Sequence, residues 1–506
     1  MEKIAVIDLG SNTIRLVIYN VVDEYFYIID EMRETVRLGQ DFEQDGYIKA
    51  NRIEIAKQKI KTFKRLCDAH KVDKIYAVTT SAVRRAKNQR SFLEEILSTC
   101  GIRFEVLSEE QESNYIYTGV INSVSSIDFP KGLIMEMGGG STNFIYYNRK
   151  TVLNHISLPF GSITLTDMFK DESDPKKQSE KIEKFFKEEL SKIDWFKDID
   201  PETQFIGVGG AFRNLGKINR LITHYPLDMT HEYFVSEKEF NKVYDLVRVL
   251  DLTKKKIKGL SGDRADIFPS ALAAIKTVFN QKKFSGVTLS ACGLREGIMF
   301  NHCVPSTVEK PIQDVLEYSV MSKLVRYSAD IEHAKKVRDI ADELFKLFRV
   351  LHKFSKKYVR ILEVAALMHD SGRIIKQIDH HKHSAYLILN TSLHGILHKD
   401  IILAAMVAGS HRKADFNKDE YAKYLELLDS EEKDAIEKLG IILRMAECLD
   451  RGESGIITSI NSDILGDSVI IKIESQGDAS LEMNQIDLVI PDFKRIFGKT
   501  LSIIGN

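Results

Sequence analysis

Two short turns in the sequence carry residue types that could bind a phosphate group. The first is Asp8-Leu9-Gly10-Ser11-Asn12-Thr13, and the second is Glu136-Met137-Gly138-Gly139-Gly140-Ser141-Thr142. Because glycine lets backbone amides approach an oxyanion closely and the hydroxyls add donors, each turn could cradle phosphate. A carboxylate opens each turn, and Asp8 and Glu136 could hold Mg²⁺ or its water shell. Two ordinary hairpins are the alternative interpretation, but the matched pair favours a phosphate chain clamped between two loops.

Three other features could complete such a site. A third glycine turn, Gly207-Val208-Gly209-Gly210, follows a strand-like run and would add further amides. Arg84 also follows a strand-like run, and its planar guanidinium could bridge phosphate oxygens. A general base needs a carboxylate near the line of attack of water, and Glu109, Glu110 and Glu112 are candidates. The same acids would also suit the N-terminus of a helix, where carboxylates complement the dipole.

Strand-like runs put the first two turns at equivalent positions. Residues 4–8 lead into the first turn, and the β-branched and aromatic runs 16–19 and 25–29 follow it. Residues 133–137 and 144–147 repeat this pattern around the second turn. We therefore predict an internal duplication in the part of the chain where strand-like and helix-like patterns alternate.

The pattern changes near Pro305. Residues 315–449 are almost continuously helical in pattern, and histidines are concentrated there. His333, the pair His369-Asp370 and Asp450 resemble the H…HD…D order of HD-type phosphohydrolases, whose imidazoles and carboxylates can bind a divalent metal. We predict a candidate second metal site from these four residues, with an inherited scaffold that no longer turns over as the alternative. Strand-like runs at 469–473 and 486–490 predict a small α/β segment after the helices.

Composition excludes several classes of protein. The 506 residues correspond to about three domains, and 43% hydrophobic with 29% charged residues is ordinary for a globular protein. The net charge of −1 disfavours a protein that coats nucleic acid. The five cysteines form no C-x-x-C pair, which favours a reducing compartment. The apolar runs are too short for a signal peptide or membrane span, so we expect a cytoplasmic protein without a membrane or specific nucleic-acid partner.

The two turns resemble the phosphate loops of the exopolyphosphatase / guanosine pentaphosphate phosphatase family, within the actin, sugar-kinase and heat-shock-chaperone superfamily. Other segments are similar to family motifs: Thr80-Ser81-Ala82-Val83-Arg84-Arg85-Ala86-Lys87-Asn88, 108–119, Asp263-Arg264-Ala265-Asp266 and Gly293-Leu294-Arg295-Glu296-Gly297. The resemblance implies an α/β fold with two actin-like (ribonuclease H-like) domains, 1–125 and 126–305, flanking a cleft. An all-helical HD-like domain at 306–455 and a small α/β segment at 456–506 would follow.

The resemblance also implies an activity, which is Mg²⁺-dependent, processive hydrolysis of terminal phosphate from inorganic polyphosphate. It makes Glu112 the catalytic base and Asp8 and Glu136 the metal ligands, and it leads us to expect a homodimer. The phosphate ligands it implies are Gly10, Ser11, Asn12, Thr13, Arg84, Gly139, Gly140, Ser141, Thr142, Gly209 and Gly210.

Other activities remain open at this point. One is hydrolysis of the 5′-terminal phosphate of guanosine pentaphosphate, and another is a low-turnover nucleotide-binding sensor. Asn143 keeps the sensor alternative open, because the family commonly has Glu there. Glu136 and Gln111 also depart from the usual Asp and Glu. A further alternative puts catalysis in the HD-like half, on a nucleotide monophosphate or cyclic nucleotide.

Overall fold

The computed structural model divides the chain into two compact units, Met1–Val315 and Leu316–Asn506. It describes residues 1–125, 130–148, 151–252, 254–305, 311–412 and 418–505. The domain boundaries predicted after 125 and 305 adjoin 126–129 and 306–310, which lie outside the described residues, and those boundaries stay predictions. Among the described residues, no helix has the length and apolar character needed to cross a bilayer.

The first unit opens with a sheet of strand order β3-β2-β1-β4-β5. Its elements are β1 (Glu2–Leu9), β2 (Thr13–Val22), β3 (Tyr25–Thr35), α1 (Ala50–Ala69), β4 (Lys74–Thr79), α2 (Ser81–Arg84), α3 (Gln89–Cys100), β5 (Glu105–Val106) and α4 (Glu109–Ile121). Strand β1 pairs antiparallel with β2, so that Asp8 lies opposite Arg15, and it pairs parallel with β4.

A second sheet in the same unit repeats this topology, with strand order β10-β11-β9-β6-β7-β8. Its elements are β6 (Lys131–Met137), β7 (Thr142–Asn148), β8 (Thr151–Leu158), α5 (Ser162–Met168), α6 (Pro175–Ser191), β9 (Gln204–Val208), α7 (Gly210–Thr223), β10 (Tyr233–Ser236), α8 (Glu237–Val247), α9 (Phe268–Lys282), β11 (Gly286–Ser290) and α10 (Leu294–Cys303). Strand β6 pairs antiparallel with β7 and parallel with β9, as β1 does with β2 and β4. The predicted internal duplication is confirmed.

Helices cover both faces of the first sheet. On β1, Ile4 and Val6 join one apolar core, whereas Ala5 and Ile7 join another. Successive side chains of a strand point to opposite faces, so a strand covered on both sides must be apolar throughout. The core that contains Ile4 also takes side chains from the second sheet and from α4 and α10. The helix that carries Glu112 is therefore packed into the core that both sheets share.

Helices α4 and α10 approach each other closely because glycines face the partner backbone. A Cβ on Gly119 of α4 would lie 2.1 Å from the carbonyl oxygen of Gly293. A Cβ on Gly297 of α10 would lie 1.8 Å from the carbonyl oxygen of Tyr115. Any larger residue at these two positions would push the helices apart and displace α4.

The second unit is helical and ends in a small sheet. Its elements are α11 (Val315–Arg326), α12 (Ile331–Leu347), α13 (Arg349–His352), α14 (Lys357–Met368), α15 (His380–Asn390), α16 (His398–Gly409), α17 (Ala422–Leu425), α18 (Ser430–Leu449), β12 (Ile457–Leu465), β13 (Ser468–Ser475), α19 (Ser480–Asp487), α20 (Ile490–Phe497) and β14 (Thr500–Gly505). The prediction of a strand at 486–490 was wrong, because this segment spans the end of α19 and the start of α20. A short apolar run in the sequence does not distinguish a strand from a turn of buried helix.

Candidate active site

Three turns meet at one cavity in the first unit. They are the β1–β2 turn, the β6–β7 turn and the turn at Gly209 between β9 and α7, and all three line the cavity. The first two turns touch, because a Cβ on Gly140 would lie 2.6 Å from Ser11 Oγ. Gly209 has a φ of 103°, which favours glycine and directs the chain into α7. The cavity therefore faces the N-terminus of a helix, where backbone amides and the helix dipole favour an anion.

Most of the predicted phosphate ligands line this cavity. They are Gly10, Ser11, Asn12, Thr13, Gly139, Ser141, Gly209 and Gly210. Asn12 is the most informative of them, since its side chain is 4% exposed and both amide atoms lack a hydrogen-bond partner among the described residues. A buried amide without a partner is costly, and a phosphate oxygen would satisfy its donor.

Two predicted phosphate ligands have other contacts. Thr142 is fully buried and its hydroxyl donates to the carbonyl oxygen of Phe160 at 2.7 Å. Gly140 packs against Ser11 and does not line the cavity. Both residues shape the second turn, whereas Gly139 and Ser141 face the space that a ligand would occupy.

Four carboxylates also line the cavity, and they belong to Asp8, Glu112, Glu136 and Glu296. Asn143 lies opposite Glu136 in the β6–β7 ladder. Its amide donates to Glu112 Oε1 at 3.2 Å and to Glu136 Oε2 at 2.9 Å. The Asn143 side chain therefore holds two of the acids at fixed positions relative to each other.

Burial changes the acidity of three of these carboxyls, those of Asp8, Glu112 and Glu136. It raises the pKa of Glu136 to about 7, with a further contribution from the nearby Glu112. Burial also raises the pKa of Glu112 and of Asp8, although Arg84 opposes the shift at Glu112 and Arg295 opposes it at Asp8. Carboxylate oxygens crowded in a desolvated cavity form a donor set that fits a hard divalent cation such as Mg²⁺.

Arg84 does not take the predicted place beside the phosphate turns. Its Nη1 donates to Glu112 Oε2 at 2.7 Å and to the carbonyl oxygen of Leu107 at 2.9 Å, and it does not line the cavity. Helix α4 begins next to it, where Ser108 and Gln111 form a reciprocal capping box. Gln111 thus has a structural role at the start of the helix that presents Glu112.

Four arginines complete the cavity, and sequence reasoning gave none of them a role. They are Arg15, Arg213, Arg264 and Arg295. Burial and repulsion from neighbouring arginines lower the pKa of Arg213 and of Arg264 to about 10. Arg264 and Arg295 lie within motifs already noted, and Arg213 lies one turn after the glycines of the third turn. These positions beside recognised motifs could have marked the three arginines as candidates. Only the fold brings all four arginines to one cavity.

A second cluster of metal-ligand types lies in the second unit. His333, His369, Asp370 and Glu447 bring ligand atoms within 4.8 Å of one another, and Asp370 does the same with His380 and His411. Sequence reasoning missed Glu447, which precedes Asp450 by three residues, or about one turn, near the end of α18.

Asp450 has a different place from the predicted one. Its Oδ2 lies 2.8 Å from His333 Nδ1, on the side of the ring away from the cluster, and its Oδ1 accepts from the amide of Gly455. Burial lowers the pKa of His333, but Asp450 and Glu447 raise it to about 10. Burial and His369 lower the pKa of His411 to about 3, so that ring is neutral.

Comparison with known proteins supports this fold. The model of the Ppx/GppA phosphatase family matches residues 17–304, and that of Ppx/GppA phosphatase domain III matches residues 315–489. A solved exopolyphosphatase from Cytophaga hutchinsonii is 27% identical, with a TM-score of 0.56 over 59% of this chain and 97% of its own. A solved Ppx/GppA family member from Aquifex aeolicus is 28% identical, with a TM-score of 0.50 over 59% of this chain and 97% of its own. The expected α/β fold with two actin-like domains and a helical C-terminal region is confirmed.

Proposed function

The chain belongs to the Ppx/GppA phosphatase family, and we propose that it is an exopolyphosphatase that removes terminal phosphate from inorganic polyphosphate. The observation that carries this proposal is the meeting of four arginines and three glycine turns at one cavity. Repulsion from neighbouring arginines helps to lower the pKa of Arg213 and of Arg264, and several adjacent phosphates would neutralise these cations. A polyphosphate chain supplies one negative charge or more at each unit, which suits this arrangement.

In this proposal Glu112 is the general base. Its carboxylate would take the proton of the attacking water, the P–O–P bond to the terminal phosphate would break, and phosphate would be released. Arg84 and Asn143 are positioning residues, because each hydrogen-bonds a different oxygen of Glu112. The turns and Arg213 and Arg264 hold the chain in line with the water.

Asp8 and Glu136 would hold Mg²⁺ in the same cavity. The bound ion would supply neutralisation of charge on the phosphate oxygens. The high pKa of Glu136 supports this assignment, since a cation would restore the charged form that burial disfavours.

The test measures phosphate release from long-chain polyphosphate and from guanosine pentaphosphate side by side, each with Mg²⁺ and with excess EDTA. We expect faster release from polyphosphate, measured as kcat/KM, and loss of activity in EDTA. A higher kcat/KM for guanosine pentaphosphate would refute polyphosphate as the substrate and favour the alternative activity, hydrolysis of the 5′-terminal phosphate of guanosine pentaphosphate. Binding of nucleotide without release of phosphate from either compound would favour the sensor alternative, for which Asn143 is the feature of interest.

A further inference from the structure

The segment that carries Arg264 into the cavity precedes α9 and is held from two sides. It is defined here as residues 261–267, and its turn of 3₁₀ helix spans Gly262–Arg264. We propose that Arg37, two residues after β3, is a positioning residue that acts through Arg264 and links it to the β1–β2 turn. This inference rests on the proposed function, in which Arg264 holds the phosphate chain.

The side chain of Arg264 has no partner that would fix its position directly. Its guanidinium lies against the third turn, since a Cβ on Gly210 would be 2.1 Å from Cζ of Arg264. It lines the cavity, and no hydrogen bond or ion pair joins it to the rest of the described chain. A guanidinium carries its N–H donors in one rigid plane, so its placement decides which phosphate oxygens it can reach. Whatever positions Arg264 must therefore act on the segment that bears it.

Helix α7 holds the segment on one side. The amide of Ser261 donates to Oδ1 of Asn214 at 3.2 Å, and Nδ2 of Asn214 donates to the carbonyl oxygen of Gly210 at 2.8 Å. Asn214 is 8% exposed, so water competes little for these bonds. This anchor fixes the start of the segment relative to the third turn, but Arg264 lies three residues beyond it.

Arg37 holds the segment on the other side, at both residues next to or near Arg264. Its Nη1 donates to Oδ2 of Asp266 at 2.7 Å, and its Nη2 donates to Oδ1 of the same carboxylate at 3.0 Å. Nη2 also donates to the carbonyl oxygen of Asp263 at 3.0 Å. Paired bonds from one guanidinium to one carboxylate fix direction as well as distance. Arg37 therefore constrains the backbone before and after Arg264.

Residues of β3 engage the side chain of Asp263. Arg33 donates to Oδ2 of Asp263, and Oγ1 of Thr35 donates to the same atom at 3.3 Å. Burial raises the pKa of Asp263, but Arg33 and Ser261 outweigh burial and the pKa lies below its ordinary value. The charged carboxylate is thus occupied by Arg33, which leaves the guanidinium of Arg264 for a ligand.

The backbone of Arg37 is bound to the β1–β2 turn. The amides of Val36 and Arg37 both donate to the carbonyl oxygen of Asn12, at 3.0 and 2.9 Å. Arg37 has a φ of 50°, a left-handed conformation that is unfavourable for a residue with a Cβ. The contacts at its backbone and at its side chain maintain this conformation. One residue thereby connects the turn that contains Asn12 to the segment that contains Arg264.

Arg37 consequently sets the distance between two groups that the proposed function assigns to phosphate. Arg37 and Asp266 are separated by 229 residues in the sequence, so the contact between them forms only in the fold. Without it, the segment would keep its anchor at Asn214 but lose the one that joins it to Asn12. A displacement of about 1 Å in a group that positions substrate can lower the rate by about 10²-fold.

The test is a double-mutant cycle read as kcat/KM for phosphate release from long-chain polyphosphate with Mg²⁺. We expect Arg37→Ala and Arg264→Ala each to lower kcat/KM by about tenfold or more, as for loss of a charge-assisted hydrogen bond to phosphate. In the Arg264→Ala background, Arg37→Ala should lower kcat/KM by less than about twofold, because Arg37 acts through Arg264. Equal effects of Arg37→Ala in both backgrounds, or no effect on the wild-type protein, would overturn the proposal.

Two further variants act on the same contact. Arg37→Lys keeps the charge but cannot make the paired bonds, so it should show most of the loss seen in Arg37→Ala. Asp266→Asn weakens the contact from the other side and should give the same cycle with Arg264→Ala, which keeps the test available if Arg37→Ala does not fold. Wild-type kcat/KM in both variants would contradict the role of the paired bonds.

Lys59→Ala is the matched control. Lys59 forms an ion pair at 2.8 Å with Glu34 of β3, and the exposure of these side chains is similar to that of Arg37 and Asp266. The variant loses an ion pair at the same end of β3 but no contact with the 261–267 segment, so kcat/KM should stay within about twofold of wild type. A loss as large as that in Arg37→Ala would show a general effect of ion pairs at this strand and would refute the specific role of Arg37.

Calorimetric binding of inorganic tripolyphosphate in EDTA separates this inference from the proposed function. We expect the same cycle in Kd, since binding does not need turnover. Binding by the wild-type protein without phosphate release in Mg²⁺ would refute the exopolyphosphatase activity, and the cycle in Kd would then decide the role of Arg37. Phosphate release with additive effects of the two substitutions would refute the role of Arg37 alone. A wild-type protein that neither bound tripolyphosphate nor released phosphate would overturn both.

Discussion

Replacing Glu112 by Gln tests the proposed base with almost no change of shape. The side chain is 5% exposed, and its two oxygens accept from Arg84 at 2.7 Å and from Asn143 at 3.2 Å. Gln keeps the size but cannot accept the proton of the attacking water. Loss of a general base lowers the rate by about 10²–10⁴-fold, which corresponds to about 3–5 kcal/mol of transition-state stabilisation.

The effect of this substitution on folding should be much smaller. Burial already raises the pKa of Glu112 in spite of Arg84, so the charged carboxylate is not strongly favoured in the fold. Gln retains one acceptor oxygen, and Arg84 keeps its bond to the carbonyl oxygen of Leu107. We expect a loss of about 1–3 kcal/mol in the free energy of unfolding, from one weakened charge-assisted hydrogen bond.

Glu109→Gln is the matched control. Glu109 is in the first turn of the same helix, but its side chain is 58% exposed and lies 3.9 Å from Arg84. An exposed ion pair of this kind contributes at most about 1 kcal/mol, so kcat should stay within about twofold of wild type.

The assay measures phosphate release from polyphosphate at saturating substrate, well below the melting temperature of each variant. We expect the loss in Glu112→Gln to fall on kcat, with little change in KM. If Glu112→Gln retained kcat within about threefold of wild type, or if Glu109→Gln lost as much, the assignment of the base would be refuted.

Three other substitutions test buried residues of the first unit. Gly119→Ala should lower the free energy of unfolding, measured with denaturant, by about 3 kcal/mol or more, because the new Cβ would lie 2.1 Å from the carbonyl oxygen of Gly293. The control Gly262→Ala has open space around its Cβ and should leave the free energy of unfolding almost unchanged. Glu232→Gln tests a buried carboxyl whose pKa burial raises to about 8. The folded state holds this proton more tightly than the unfolded state, so the protonated carboxyl stabilises the fold fully below about pH 4.5 and this stabilisation is lost as the pH rises through 8. Above pH 8 the variant should therefore be more stable than wild type by up to about 5 kcal/mol in the free energy of unfolding. Equal pH profiles of melting temperature for the two proteins would contradict this. Asn143→Asp replaces the amide donor between Glu112 and Glu136 with a third buried carboxylate. In EDTA this variant should have a free energy of unfolding about 3 kcal/mol lower than wild type. An unchanged melting temperature would contradict the prediction.

Local chemistry made much of the fold and part of the site predictable. A turn that binds phosphate needs glycines, hydroxyls and a preceding strand, and all of these are neighbours in the sequence around Gly10 and Gly139. The duplication was readable for the same reason, because alternation of side chains along a strand repeats with each copy. Strong helical periodicity likewise indicated the C-terminal half, whereas the short apolar run at 486–490 carried too little pattern to separate strand from helix.

Only the tertiary structure decided where charged side chains from distant segments point. Arg84 was predicted to bind phosphate, yet the helix carrying Glu112 brings a carboxylate 2.7 Å from its guanidinium. Arg213 and Arg264 face one cavity because the third turn and the segment before α9 converge there, which no spacing along the chain specifies.

The same limit applies to the histidine cluster of the second unit. Sequence order placed Asp450 among the ligands, but the phase of α18 directs Glu447 toward His333 and His369 and leaves Asp450 behind the ring. The sequence by itself determined the residue types, the turns and the repeat, since each depends on neighbours along the chain. The convergence of side chains depends on how helices and sheets pack over long separations, and that was decided by the folded core.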